Sequence, residues 1–240
     1  MKSKVAGEIL RDPEKYAHHD RIFLNNPVVM QGMGLAPLVV LAASARNAVM
    51  LAAAVALLLT PSRILGCLLG RLCPLSEAPS REELQKKLLP RALLYCARTS
   101  LVYLAAYPVL NALFGVELLT LGIYLPLLTV EPLLVYRFGR VQETLRKAVS
   151  KGVRITLGYA LILLLVGCVR EWLSAGTLFG VPLARRAVLP MASMPAGGFL
   201  VLGVLCALWR ALAHKRKEFL KTEARNLAVA QYQKKEEQSQ

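Results

Sequence analysis

The stretches "GMGLAPLVV" (residues 32–40) and "TLGIYLPLLTV" (residues 120–130) are built alike, each with a glycine shortly before a Pro-Leu pair, early in an apolar block. Glycine leaves the backbone loose, and proline cannot donate the hydrogen bond that a helix interior requires, so each block reads as a helix interrupted near its start. Further apolar blocks follow each of them. Together the blocks near 27–45, 48–70, 92–115, 118–136, 153–173 and 190–211 have roughly the 20-residue length that crosses a bilayer. Three precede residue 117 and three follow it. Because three is odd, the second unit must enter the membrane in the opposite sense to the first. The expected fold is therefore all-α and integral to the membrane: six transmembrane segments in two inverted three-helix repeats, about 27–115 and 118–213, with broken first helices. In folds of this kind the interrupted helices meet near the midplane and the functional site lies between them. That singles out Gly34 and Pro37 in the first half and Gly122 and Pro126 in the second.

Composition agrees with this. Of 240 residues 55% are hydrophobic, and the formal charge is +15, yet the charges fall between the apolar blocks. The basic balance therefore needs no nucleic acid to explain it. With the N-terminus inside, the pieces 1–26, 61–91, 136–154 and 210–240 hold 25 of the 30 Lys and Arg residues. Only Arg46, Arg170, Arg185 and Arg186 fall outside, and Arg98 falls within a span. The positive-inside rule then puts both termini in the cytoplasm. Residues 1–26 become a cytoplasmic N-terminal segment, 27–213 the membrane domain and 214–240 a basic cytoplasmic tail. The polar start "MKSKVAGEILRDPEKYAHHDRIF" has no apolar run before a cleavage site, so no signal peptide is expected. The loop 73–91 reads as a short amphipathic helix, with Ser80 and Glu83 forming a capping box. The clustered Lys and Arg of the tail could touch anionic lipid, but topology alone accounts for them.

Soluble-enzyme chemistry is not visible: there is no phosphate-cradling glycine loop, no Ser-His-Asp set and no metal-spaced His/Cys group. His18, His19 and His214 fall in cytoplasmic pieces. Cys67, Cys73, Cys96, Cys168 and Cys206 form no CxxC pair and read as small buried hydrophobes.

The run "LGIYLPLLTVEPLLVYRFGR" (121–140) carries Glu131 beside Pro132 inside an apolar block, and an ionisable residue within a membrane segment is a candidate functional group. Glu131 lies about 9 Å inside the boundary marked by Arg137, and Arg98 about 10 Å inside that marked by Arg91, at 1.5 Å per residue. Equal depth suits a buried Arg98–Glu131 pair, set against a proton or cation role for Glu131 or a water-facing position. Arg170-Glu171, ahead of the Gly176 and Gly180 turn, reads as structural, and Trp172 and Trp209 as interfacial anchors.

The runs "NNPVVMQGMGLAPL" (25–38), "LGIYLPLLTV" (121–130), "VREWLSAGTLFG" (169–180) and "MPAGGF" (194–199) occur in the same order as motifs of the Rnf/Nqr membrane subunits. Over residues 23–213 the chain most resembles the E subunit of Rnf complexes and its Nqr counterpart, the D subunit. The resemblance implies a multi-pass subunit of a bacterial cytoplasmic (inner) membrane. It also implies a homologous partner subunit of opposite orientation, other complex subunits and a surrounding lipid bilayer. Such complexes move electrons between a low-potential donor and NAD or quinone, coupled to Na⁺ or H⁺ translocation.

In that family each broken helix supplies a cysteine, and two such subunits share a [2Fe–2S] cluster on four thiolates. Here the corresponding positions are Ala36 and Pro132, neither of which offers a ligand atom. The chain is thus expected to hold no cofactor of its own. It is expected to serve as a subunit of an ion-translocating electron-transport complex without cluster ligands. The alternative is a redox-inactive paralogue, acting as a small transporter or ion-path module or as a structural assembly subunit.

Overall fold

The computed structural model describes residues 20–69, 81–130, 145–184 and 186–239. Its first two helices are short. Helix α1 (Pro27–Gln31) starts where the sequence supplies a start signal: Asn26 Oδ1 accepts from Val28 N at 2.9 Å, and proline sits at the first helical position. It ends at Gly32, whose φ of 64° belongs to the left-handed region. Gly34 is also left-handed, at φ 72°, and α2 (Leu35–Val40) begins directly after it. Two long helices follow, α3 (Ala45–Leu69) and α4 (Arg81–Phe114).

The second apolar interruption is built from still shorter pieces. A 3₁₀ stretch (Gly115–Leu121) is halted at Gly122, where φ is 50°, and it leads into α5 (Tyr124–Leu127) and a 3₁₀ turn (Leu128–Val130). Helix α6 (Leu145–Ala175) then precedes a hairpin of β1 (Thr177–Leu178) and β2 (Val181–Pro182). A 3₁₀ turn (Pro190–Ser193) leads to α7 (Pro195–Ser239).

Most of the chain is helical, in keeping with an all-α membrane protein, and the hairpin has only two residues in each strand. One expectation changes. The amphipathic segment expected as a separate helix is continuous with the following span, because α4 passes through Pro90 without a break. A proline removes one ladder bond, and the strong helix formers on both sides keep the helix going. Ser80, its expected cap, lies outside the described residues. Helix α7 runs from the last span through the basic tail without a break.

Among the described residues four stretches are long and apolar enough to cross a membrane: Ala45–Leu65, Cys96–Leu121, Val149–Ala175 and Pro195–Asn226. They are not equivalent. Half of the apolar window is buried in the first and third, against 22% and 28% in the other two, so α3 and α6 form the centre. These two run antiparallel. Gly167 of α6 lies against Ser44 and Ala48 at the start of α3, whereas Gly152 lies against Thr60 and Arg63, further along α3. A Cβ on Gly167 would fall 2.6 Å from Ala48 Cβ and 2.8 Å from the Ser44 carbonyl. The missing side chain is what lets the two backbones approach, as small residues do between membrane helices.

Each short-helix segment rests on long helices from the other part of the chain. Residues 27–40 pack on α6 and α7, and residues 115–130 on α4 and α3. The core holds Leu38, Met50, Leu51, Leu58, Tyr159, Leu163 and Val166 at 1% exposure or less. Leu101, Leu104 and Leu113 of α4 and the following Val116, Leu119 and Ile123 project outward at 63–80% exposure. In water such a face would favour aggregation. In a bilayer it is solvated by acyl chains, and packing rather than hydrophobic burial holds the helices together.

Candidate functional site

The first interruption is clamped onto α6 at four points. Their order is the same along both partners, so residues 26–45 run parallel to α6.

The clamp begins at Asn26. Its Oδ1 caps α1, and its amide Nδ2 donates to the Gly158 carbonyl at 2.8 Å and to that of Ile22 at 2.9 Å. Next comes the break itself. The fully buried Tyr159 donates its hydroxyl to the Gly34 carbonyl at 2.9 Å, and its ring fills the space that a Cβ on Gly34 would need. Gly34 therefore serves twice: it supplies a left-handed backbone and it makes room for the tyrosine.

Arg170 holds the far end of α2. It is fully buried and donates to six backbone carbonyls. Nη1 reaches Val39 O at 2.7 Å, Ala42 O at 3.1 Å and Leu38 O at 3.4 Å. Nε reaches Ala192 O at 2.9 Å, and Nη2 reaches Ser193 O at 3.0 Å and Met194 O at 3.2 Å. The last carbonyls of any helix lack intrahelical partners, and those of α2 find theirs in this guanidinium. Its planar fork of five N–H donors suits bonds that diverge to two chain segments. The start of α7 closes over the joint: a Cβ on Gly198 would fall 2.8 Å from Val39 O and 2.9 Å from Arg170 Cζ.

Glu171 does the opposite job one residue on. Its Oε2 accepts from Ala45 N, at the first turn of α3, at 2.8 Å. Its Oε1 accepts from the Thr177 hydroxyl at 3.0 Å and from Gly180 N at 2.8 Å. The last two bonds shape the hairpin, whose central residues Phe179 and Gly180 both have positive φ, 52° and 79°, as a two-residue primed turn requires. Neighbouring residues on a helix point about 100° apart, so one dipeptide serves the carbonyl end of α2 and the amide end of α3. Both side chains are buried, and their bonds to backbone groups agree with a structural role for the pair.

The second interruption is held differently. The Thr99 hydroxyl of α4 donates to the Thr129 carbonyl at 2.6 Å, and the adjacent Arg98 is 3% exposed. Arg46 at the head of α3 meets Glu117 at 2.9 Å, but both are largely exposed, and such pairs add little stability. Of the residues singled out from sequence, Gly34 and Pro37 are buried, whereas Ala36, Gly122 and Pro126 are exposed. Glu131 and Pro132 lie outside the described residues. Sequence reasoning missed Asn26 and Tyr159. The Asn-Pro dipeptide is a helix-start signal, and a lone phenol in the apolar block 153–173 must find an acceptor when buried.

A family model described as "Rnf-Nqr subunit, membrane protein" matches residues 16–206. The chain belongs to the Rnf-Nqr family. Among its relatives, proteins of Shewanella sp. (strain ANA-3) and Shewanella putrefaciens (strain CN-32) are 29% identical over 217 residues, covering 82% of this chain and 87% of theirs. A Shewanella oneidensis protein is 27% identical over 215 residues with the same coverage. All three are named as the E subunit of an ion-translocating oxidoreductase complex.

Against the cluster expected of Rnf-Nqr subunits, the donor set does not fit. Ala36 has no donor atom, and Pro132 is a proline. The described cysteines Cys96, Cys168 and Cys206 sit on α4, α6 and α7 rather than on either short-helix segment. Among the described residues no three His, Cys, Asp or Glu side chains gather where they could hold a metal ion.

Proposed function

We propose that this Rnf-Nqr family member is an integral membrane subunit of an ion-translocating electron-transport complex, in which it frames the interrupted helices without ligating a cluster. The observation that carries this is the family match across residues 16–206, together with relatives named as the E subunit of an ion-translocating oxidoreductase complex. The membrane architecture on this reading is six crossings in two inverted halves, four by whole helices and two by the broken segments. Its support is the antiparallel course of α3 and α6, the second helix of each half, and the seating of each broken segment on helices of the other half. Six crossings keep both termini in the cytoplasm, and the membrane is a bacterial inner membrane. A homologous subunit of opposite orientation completes the unit.

Ala36 and Pro132 remove the thiolates that the family would place at the breaks, so the electron path passes through partner subunits. Glu131 pairs with Arg98. The Thr99–Thr129 bond supports this, since it fixes the chain two residues before Glu131 beside the α4 turn that carries Arg98.

The test is purification of the tagged full-length chain from its native membrane, with iron and flavin analysis. The expected result is a complex containing flavin and iron, while the chain isolated in denaturing detergent retains no iron. A chain that purifies alone, without flavin-bearing partners, would refute the subunit reading. It would favour a redox-inactive paralogue working as a transporter or ion-path module, a reading that the loss of both ligand positions also fits.

A further inference from the structure

A shallow apolar groove lies between α1, α6 and α7, lined by Val29, Ile162, Leu165, Val166, Leu202 and Leu205, with Cys206 and Trp209 at one end. Cations stand at that same end. Arg210, one helical turn beyond Cys206, donates Nε to the carbonyl of Val29 at 3.0 Å, so the residue that walls the cleft also carries the carbonyl that Arg210 binds. Trp209 donates to the Phe23 carbonyl at 3.0 Å and packs its indole on the Phe23 ring, centroids 4.8 Å apart. The other arginine of the group, Arg216, holds its guanidinium 5.5 Å from the centre of that ring. Six residues of helix separate the two arginines, a rise of about 9 Å, within the span of two long side chains. Lys215 and Lys217 flank Arg216.

Apolar cleft, aromatic collar and arginine pair thus follow one another along α7 in the order tail, glycerol level and headgroup of a lipid. Aromatic rings favour the membrane–water boundary, and guanidinium forks bind phosphate oxygens. We propose that this cleft is a binding site for one anionic glycerophospholipid. One acyl chain lies along the half-buried Leu165 and Leu205, and the phosphate is held between Arg210 and Arg216. Free phosphate would not use the cleft. A zwitterionic lipid would use it without gaining from a net positive charge. The site needs only that α6 and α7 span the membrane, so it stands whether or not the chain works in electron transport.

Trp209 is a built-in reporter. The full-length Trp172→Phe chain, whose remaining tryptophan is Trp209, is placed in phosphatidylcholine vesicles containing graded fractions of phosphatidylglycerol or phosphatidylcholine with brominated acyl chains. Brominated phosphatidylglycerol is expected to half-quench Trp209 at about fivefold lower mole fraction than the choline lipid for each cation engaged. Arg216→Gln, on the exposed surface, is expected to remove most of that preference. Leu205→Phe, which fills the cleft, is expected to weaken quenching by both lipids. Lys215→Gln with Lys217→Gln is expected to leave the preference intact. Equal quenching by both lipids overturns the proposal, as does phosphatidylglycerol quenching that Leu205→Phe leaves unchanged. A preference abolished by the lysine changes but untouched by Arg216→Gln overturns it too, because attraction would then be delocalised over the tail.

Discussion

Arg170 binds the carbonyl of Val39 at 2.7 Å, although 131 residues of chain separate them. The bond joins the end of the first short-helix segment to the end of a central helix. With its companions it satisfies carbonyls that would otherwise be buried without donors. Lysine in this place would carry the charge on a single compact group and could not reach both carbonyl sets. Arg170→Lys and Arg170→Gln are both expected to destabilise the chain by about 3 kcal/mol or more, read as an early thermal transition in detergent. A variant that melts with the parent would show the carbonyls to be satisfied otherwise.

Gly34 and Tyr159 give a second pair of expectations. Gly34→Ala forces a side chain into a left-handed residue, at roughly 1–3 kcal/mol, and into the Tyr159 ring as well. Tyr159→Phe keeps the ring and loses only the hydroxyl bond to Gly34, at about 1 kcal/mol. Thermal scans of both variants should rank the glycine change as the more damaging. The reverse order would place the strain elsewhere.

Two glycines within long helices should behave in opposite ways. A Cβ on Gly167 meets α3, so Gly167→Ala should cost about 1–3 kcal/mol as an overpacked contact. A Cβ on Gly203 meets nothing within 4 Å, so Gly203→Ala should be neutral or stabilising by about 0.5–1 kcal/mol, as expected for a helix interior. Comparing the melting temperatures of the two variants checks both the α3–α6 seam and the outward direction of that face of α7.

The proposed Arg98–Glu131 pair is tested by a double change. Arg98→Leu should leave a buried carboxylate alone and reduce the yield of folded protein severalfold, a loss of roughly the 3–5 kcal/mol order for a broken buried pair. Adding Glu131→Gln should restore most of the yield. Unaltered folding of the single Arg98→Leu variant would count against the pair.

Much of this architecture is legible in the sequence, because the signals are local. Four of the six apolar blocks lie along the long helices, and the paired glycine and Pro-Leu motifs of the other two coincide with the places where α1, α2 and α5 stay short. The role of Arg170 is only half visible there. A buried arginine with a carboxylate beside it suggests a pair, yet these two side chains face different partners. Backbone carbonyls leave no mark in a sequence, so neither Val39 nor Ala192 can be named from it as the acceptor. Arg98 and Glu131 stand out more readily, since each is a charge set at similar depth within an apolar block. The continuity of α4 through Pro90 is hidden for a related reason: a proline is conspicuous in a sequence, while the helix formers that outweigh it are not.

The six bonds of Arg170 tie α2, α6 and the approach to α7 into one rigid body, since none of these can shift without several strong contacts parting together. If ion movement in the assembled complex involves a rocking of one portion of this subunit against another, the hinge must lie outside that knot. The stretch around the second glycine, held among the described residues by the Thr99 hydroxyl and an exposed Arg46–Glu117 pair, is where such a motion would be least resisted.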